Sequence, residues 1–240
     1  MPEIERAHVS HERLLARLPD DGVPGRTAYA VPHARPAIVA SWLDDDDRDH
    51  LADAAEASDT GSVLFVRERD LLLVLPPFPV EAALTGDRID TAPLVELLQR
   101  SRTIAAFLLR RGGYTMGVFR GDFLVDSKTD RRFVKNRHRK GGQSQRRFDR
   151  IREKQVYELF EMACEDARAT LTPYESEIEH VFLGGDRQAL IAFRKQCDYF
   201  DRFGARVMSR PLHIPGDPRK ASLAAVPREA RSSTLLSCTP

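Results

Sequence analysis

Lys140-Gly141-Gly142-Gln143-Ser144-Gln145-Arg146-Arg147-Phe148-Asp149 is the stretch from which the rest of this chain is best read. Two adjacent glycines let a backbone take positive φ angles and approach another chain without a Cβ in the way. The glutamine beside them offers a carboxamide oxygen, two side-chain N–H donors and a backbone N–H. Such a group can orient a water at an ester carbonyl. It is poor equipment for binding a metal or forming a covalent intermediate.

Downstream of the tripeptide the pattern becomes helical. Phe148, Ile151, Val156, Leu159, Ala163 and Ala167 recur at spacings of three to five and predict a buried stripe. Arg146, Arg150, Glu153 and Lys154 occupy the other face, and Pro173 ends the run. At 1.5 Å per residue this is a rod of roughly 40 Å, long enough to hold a loop away from the body of a domain. Upstream, Thr103–Leu109, Tyr114–Phe119, Phe123–Ser127 and Arg132–Lys135 predict a strand meander with glycine or aspartate at each reversal. Glu179–Leu183 predicts a further strand. Gly184-Gly185-Asp186 then leads into a helix from Arg187 to about Phe200, with Asp186 as its N-cap, and a short strand follows at Ala205–Met208. The expected fold class is α/β or α+β: a central mixed β-sheet flanked by helices, with the Gly-Gly-Gln loop preceding the long helix.

The stretch KGGQSQRRFDRIREKQ resembles the catalytic loop and following helix of class I peptide-chain release factors of the archaeal–eukaryotic type, in which Ser and an Arg-Phe pair follow the tripeptide, here Ser144, Arg147 and Phe148. Arg111-Gly112-Gly113-Tyr114-Thr115-Met116-Gly117-Val118-Phe119 and Asp126-Ser127-Lys128 extend the match. They are similar to a bacterial branch related to the Vms-like ankyrin-repeat and zinc-finger peptidyl-tRNA hydrolases of ribosome quality control. The resemblance runs from about Arg102 to about Ser232. It implies a release-factor-like catalytic domain whose loop enters the peptidyl-transferase centre of the large subunit, where ribosomal RNA and tRNA supply much of the active site. Gln143 would orient the water and offer its backbone N–H, while Gly141 and Gly142 would provide shape and clearance. Arg137, Arg139, Lys140, Arg146, Arg147 and Arg150, together with Ser144, would contact RNA, the cations neutralising phosphates. No cofactor and no metal is implied.

The first hundred residues are less specific. They predict a helix over Val9–Leu18, strands at Arg26–Val31 and Ala37–Trp42, and a helix from the Asp44–Asp47 run to about Ala57. A hairpin follows at Ser62–Val66 and Leu71–Leu75, then a helix over Ala92–Gln99. The expected organisation is an acidic N-terminal α/β region over 1–100, the catalytic domain over 101–235, and a loose tail over 236–240. Charge divides the same way. Residues 1–100 hold 10 basic and 19 acidic residues, whereas residues 131–154 hold 11 basic and 2 acidic residues around the Gly-Gly-Gln. The latter is the electrostatic footprint of a phosphate-rich partner.

Hydrophobic residues make up 42% of the 240 residues, enough for sizeable cores. There is no apolar run of membrane-spanning length and no basic-then-apolar leader, so the expected setting is cytoplasmic, with no membrane partner. Cys164, Cys197 and Cys238 are far apart and odd in number. They are expected as unpaired thiols, giving neither a disulfide framework nor a zinc spacing. Aspartates 122, 126 and 130 fall at turns and make a poor nuclease metal site.

Codon-independent hydrolysis of peptidyl-tRNA on stalled ribosomes or split large subunits is the leading functional reading, because no counterpart of a stop-codon-reading domain is seen. The expected partners are the large subunit, peptidyl-tRNA and an unidentified rescue partner. The competing readings are endonucleolytic removal of the tRNA 3′-CCA end and a non-catalytic ribosome- or RNA-binding module.

Overall fold

A computed structural model describes residues 3–36, 43–68, 70–131 and 143–239, with backbone alone at residues 3, 143–149 and 239. The strands expected at Ala37–Trp42 and Arg132–Lys135 lie outside the described residues. The chain forms an α+β fold of two compact units. One comprises Met1–Arg100 with Ala230–Pro240, the other Ser101–Glu229.

The first unit begins with β1 (Glu3–Val9), α1 (His11–Leu15), β2 (Pro24–Ala30) and α2 (Asp45–Glu56). It continues with β3 (Ser62–Arg67), β4 (Asp70–Leu75), β5 (Leu84–Arg88) and α3 (Ala92–Gln99). The central strands of its sheet are buried on both faces, and the strand sequences show why. Side chains alternate across a strand. Val63, Phe65 and Val74 therefore face one core with Leu14 of α1 and with Leu94 and Leu98 of α3. Leu64, Leu71 and Leu73 face another with Leu51 and Ala55 of α2. Asp44 caps α2 by accepting a hydrogen bond from the Asp47 N–H at 2.8 Å, and Arg48 reaches Asp45 at 2.8 Å. The acidic run is thus a helix start complementing the dipole.

The second unit holds β6 (Thr103–Arg110), β7 (Gly113–Arg120), β8 (Phe123–Arg131), α4 (Gln143–Leu171), β9 (His180–Gly185) and α5 (Arg187–Gln196). A short helix, α6 (Val226–Ala230), and a last strand, β10 (Ser233–Thr239), follow. The order of the four-stranded sheet is β8-β7-β6-β9; β6 and β9 run parallel and the other pairs antiparallel. Two-residue turns join the meander, and Gly121 supplies the positive φ of the second. Ala105, Phe107, Leu109, Tyr114, Met116 and Val118 alternate onto one face. Leu159, Phe160, Ala163, Ala167 and Leu171 of α4 pack there, with Phe193 of α5. Phe107 stacks on Phe193 at 5.0 Å between ring centroids. At the β9–α5 junction Gly185 has φ +108, and a Cβ there would collide with the Leu109 carbonyl, which accepts the Asp186 N–H at 2.8 Å. Asp186 caps α5 through the Ala189 N–H at 2.7 Å.

Four expectations are corrected. The tail is not loose from 236: β10 pairs with both β1 and β4 and places Leu235 on one face of the first sheet and Leu236 and Cys238 on the other. Its partners are more than 150 residues away in sequence, so local reading could not find them. The same pairing makes residues 3–9 a strand that the sequence did not suggest, so the helix expected from Val9 begins at His11 instead. The helix expected to reach Phe200 ends at Gln196, and Tyr199–Arg206 is 3-10 helix, kinked at Gly204 (φ +51), that includes the first residues of the expected strand at Ala205–Met208. Tyr199, Phe200 and Phe203 must all turn inward there, which the tighter helix allows.

The fourth correction concerns the cysteines. Cys164 on α4 and Cys197 at the C-cap of α5 form a disulfide, with Cα atoms 5.8 Å apart, while Cys238 is a buried free thiol whose pKa burial pushes up. The 33-residue separation hides this pairing; packing of α5 against α4 creates it. Closing a loop of that length restricts the unfolded chain by about 3–4 kcal/mol on the chain-entropy account. Reduction, or Cys164→Ser, is therefore expected to lower the denaturant midpoint of the second unit by a stability difference of that order. An unchanged midpoint under dithiothreitol would show that the bridge contributes nothing.

Candidate functional site

The site is built on α4. Glycine is unfavourable in a helix interior by about 1 kcal/mol relative to alanine, and glutamine is a good helix former. A helix that begins at Gln143, immediately after Gly141-Gly142, follows from those preferences. Gln143, Ser144, Arg146, Arg147 and Arg150 are brought onto the first turns of this one 29-residue helix. Positions 143, 146 and 150 follow the three- and four-residue spacing of a single helix face. Arg150 is exposed. Arg137, Arg139, Lys140, Gly141 and Gly142 lie outside the described residues.

Anchoring of α4 is uneven along its length. Leu159 is the first fully buried side chain among its described residues; those from 150 to 158 are half-buried or exposed. The gap from Gln143 to Leu159 is about 24 Å of helix. The anchored part is tied to the sheet by polar contacts as well as by the core. The Tyr114 hydroxyl donates to Asp166 Oδ2 at 2.5 Å, and Lys128 Nζ lies 3.3 Å from the same oxygen. Burial, then the Asp166 hydrogen bond, pushes the Tyr114 phenol above its ordinary pKa. Arg168 pairs with Asp198 at 2.6 Å and sits over the Tyr199 ring at 5.5 Å. By contrast, the described ion pair nearest the motif, Lys154 with Glu158 at 3.8 Å, leaves the lysine 77% exposed. Exposed pairs of this spacing contribute about 0.3–0.5 kcal/mol.

A groove of about 550 Å³ between α4 and α5 was not singled out in the sequence. Arg111, Arg152, Tyr157, Gln188 and Gln196 line it, and the Arg152 Nε is buried without a hydrogen-bond partner among the described residues. Tyr157 is 52% exposed although it carries a large ring. An aromatic ring on the polar face of an otherwise charged helix is the signal that could have marked it. Among the described residues no three His, Cys, Asp or Glu side chains gather as a metal cage requires. Asp126 and Asp130, expected at turns, lie within β8 because that strand runs on beside β7, and accept hydrogen bonds from the N–H groups of Ser127 and Arg131 at 2.7 Å each. No helix among the described residues is long and apolar enough to cross a membrane.

Comparison with known proteins adds independent information. Peptide chain release factor subunit 1 of Aeropyrum pernix is 31% identical over 156 residues, covering 62% of this chain and 39% of that protein. The Archaeoglobus fulgidus protein of the same name is 32% identical over 93 residues, 39% of this chain and 23% of that protein. The chain thus spans less than half the length of these curated relatives. Among solved structures, the archaeal translation termination factor aRF1 superposes with a TM-score of 0.42 at 19% identity, covering 91% of this chain and 68% of that one. The Vms1 mitochondrial localization core gives 0.42 at 10% identity, covering 82% and 85%. The family model of the Actinobacteria/chloroflexi VLRF1 release factor matches residues 102–236, more than half of the chain and nearly all of the second unit. The chain therefore belongs to the Actinobacteria/chloroflexi VLRF1 release factor family.

Proposed function

We propose that this protein releases nascent chains from peptidyl-tRNA on stalled ribosomes or split large subunits, by ester hydrolysis at the Gly141-Gly142-Gln143 loop and without reading a codon. The observation that carries this reading is the position of the tripeptide in a member of this family: its glutamine is the first residue of a 29-residue helix whose far half is anchored in a core. The ester is already activated, so the task is to place water and stabilise developing charge. Positioning contributes several kcal/mol to such a step, and preorganised N–H donors aimed at the oxyanion contribute further. Gln143 supplies both kinds of group. Gly141 and Gly142 give the loop its clearance. The large-subunit RNA and the tRNA complete the site.

The charge distribution supports the same partner. Arg137, Arg139, Lys140, Arg146, Arg147 and Arg150 lie on both sides of the tripeptide, within a segment of 11 basic and 2 acidic residues. Phosphate contacts of this kind position a protein without reading sequence. The net −9 over residues 1–100 disfavours contact of that region with messenger RNA, which supports a codon-independent role. Replacing Arg146 and Arg150 together with alanine is expected to weaken ribosome binding. It should also reduce the slope of log K against log salt by about 1.4–1.8, since each lost phosphate contact removes about 0.7–0.9. Binding measured across a salt series checks this, and an unaltered slope would assign those arginines to contacts within the protein.

The direct test uses stalled ribosomal complexes bearing labelled peptidyl-tRNA, with sequencing of the tRNA 3′ end afterwards. Hydrolysis predicts free peptide and an intact CCA end. A shortened end would establish nuclease action in its place. Binding without release would leave a ribosome-binding module.

A further inference from the structure

A groove of about 1050 Å³ opens in the second unit at the C-terminal ends of the parallel strands β6 and β9, between α5 and the segment 207–215. This volume is at the top of the range for sites that take a drug-sized ligand, about 300–1,000 Å³. It has room for several side chains. Crevices beyond the carboxyl ends of parallel strands are common ligand sites. The floor is aliphatic: Leu183, Leu190, Ile191, Val207, Met208 and Leu212 line it. Ile191 is 46% exposed, a large apolar side chain left in contact with water. Methionine in such a floor adapts to irregular apolar partners.

The charges of the groove have one sign. Arg110, Arg187 and Arg194 line it, and no aspartate or glutamate does so among the described residues. Arg194 is committed to Asp201 at 2.7 Å. Neither Arg110 nor Arg187 is paired with a carboxylate among the described residues, and the Arg110 Nε is buried without a hydrogen-bond partner. A buried guanidinium nitrogen left unpaired favours any ligand that brings an acceptor to it.

We propose that this groove docks an acidic, aliphatic-rich peptide segment of a partner protein, with leucine or isoleucine side chains on the floor and carboxylates on Arg110 and Arg187. The composition of the floor selects peptide over RNA. Proteins that hold single-stranded nucleic acid stack its bases on aromatic rings. Apart from the His213 imidazole, no aromatic ring lines this groove among the described residues. Alternating acidic and aliphatic side chains match both the sign of the rim and the character of the floor. The docking site lies on residues separate from the Gly-Gly-Gln helix, so the proposal stands whether or not the chain hydrolyses peptidyl-tRNA.

The test titrates two probes against the 15N-labelled full chain: a pool of dodecapeptides drawn from Asp, Glu, Leu and Ile, and a dodeca-uridylate. The peptide pool is expected to shift amides of α5 and of residues 207–214, with an apparent Kd that weakens at least tenfold in Arg187→Glu and in Ile191→Asp. Both substitutions fall on exposed positions. Thermal melting of each variant verifies that it folds, and a variant that does not is replaced by Arg187→Gln or Ile191→Ser. Three results would overturn the proposal: no shift in the groove at millimolar pool, shifts unaffected by either substitution, or the same amides responding to the uridylate instead, which would make the groove an RNA site.

Discussion

Gln143→Ala is expected to slow peptide release from stalled complexes by about 10²–10³-fold, the loss that follows removal of one preorganised donor at a developing oxyanion. Ribosome binding and thermal stability should stay within error of wild type. The substitution is made at the first residue of α4, about 24 Å of helix from Leu159, the first fully buried side chain among its described ones, and alanine is at least as good a helix former. The basic residues that would hold the phosphates are untouched. Single-turnover release at saturating protein is the decisive measurement, because it separates chemistry from binding. Equal rates for the two proteins would remove the glutamine from the mechanism. The remaining activity would then have to come from another part of the chain or from the ribosome alone.

Phe107→Ala is the second large effect, and it acts on folding. The ring is fully buried, stacked on Phe193 at 5.0 Å, with Phe200 at 5.2 Å and Tyr114 at 6.3 Å. Deleting it removes a point where sheet, α5 and the 3-10 turn meet. Large-to-small changes of this kind cost about 3–5 kcal/mol, part of it the cavity left behind. A loss of that size is a large fraction of the stability of a typical domain. Denaturant unfolding should show a lower midpoint with the slope retained, and release activity should fall in proportion to the unfolded fraction. A loss under 1 kcal/mol would mean that the surrounding rings close over the gap.

Legibility from sequence followed the range of the interactions. β6, β7, the start of β8, β3, β4, α3 and the long helix are set by local alternation, helical period and turn residues such as Gly121, and were readable; the turn expected after Ser127 is not there, since β8 runs on to Arg131 by pairing with β7. β1 and β10 were not, because each becomes a strand by pairing with the other across the whole chain. β5, Leu84–Arg88, has every side chain exposed, so it offers no apolar alternation to read. The disulfide was invisible for a related reason: only the packing of α5 on α4 brings Cys197 to Cys164. For the candidate site, the motif and its basic surroundings were legible as residue types at fixed spacing. The two grooves were not, since Arg110, Arg152 and Tyr157 become neighbours of α5 only in the folded unit.

The separation between Leu159, the first fully buried side chain among the described ones of α4, and its first residue, Gln143, makes the helix a ruler with a phase. Each residue inserted between them advances the start of the helix by about 1.5 Å and turns it by about 100° around the axis. Seven residues added or removed nearly restore the original direction while changing the reach by about 10 Å. Length and direction are therefore encoded together in the count of residues between two positions, and a change in that count alters where the motif points before it alters anything else in the fold.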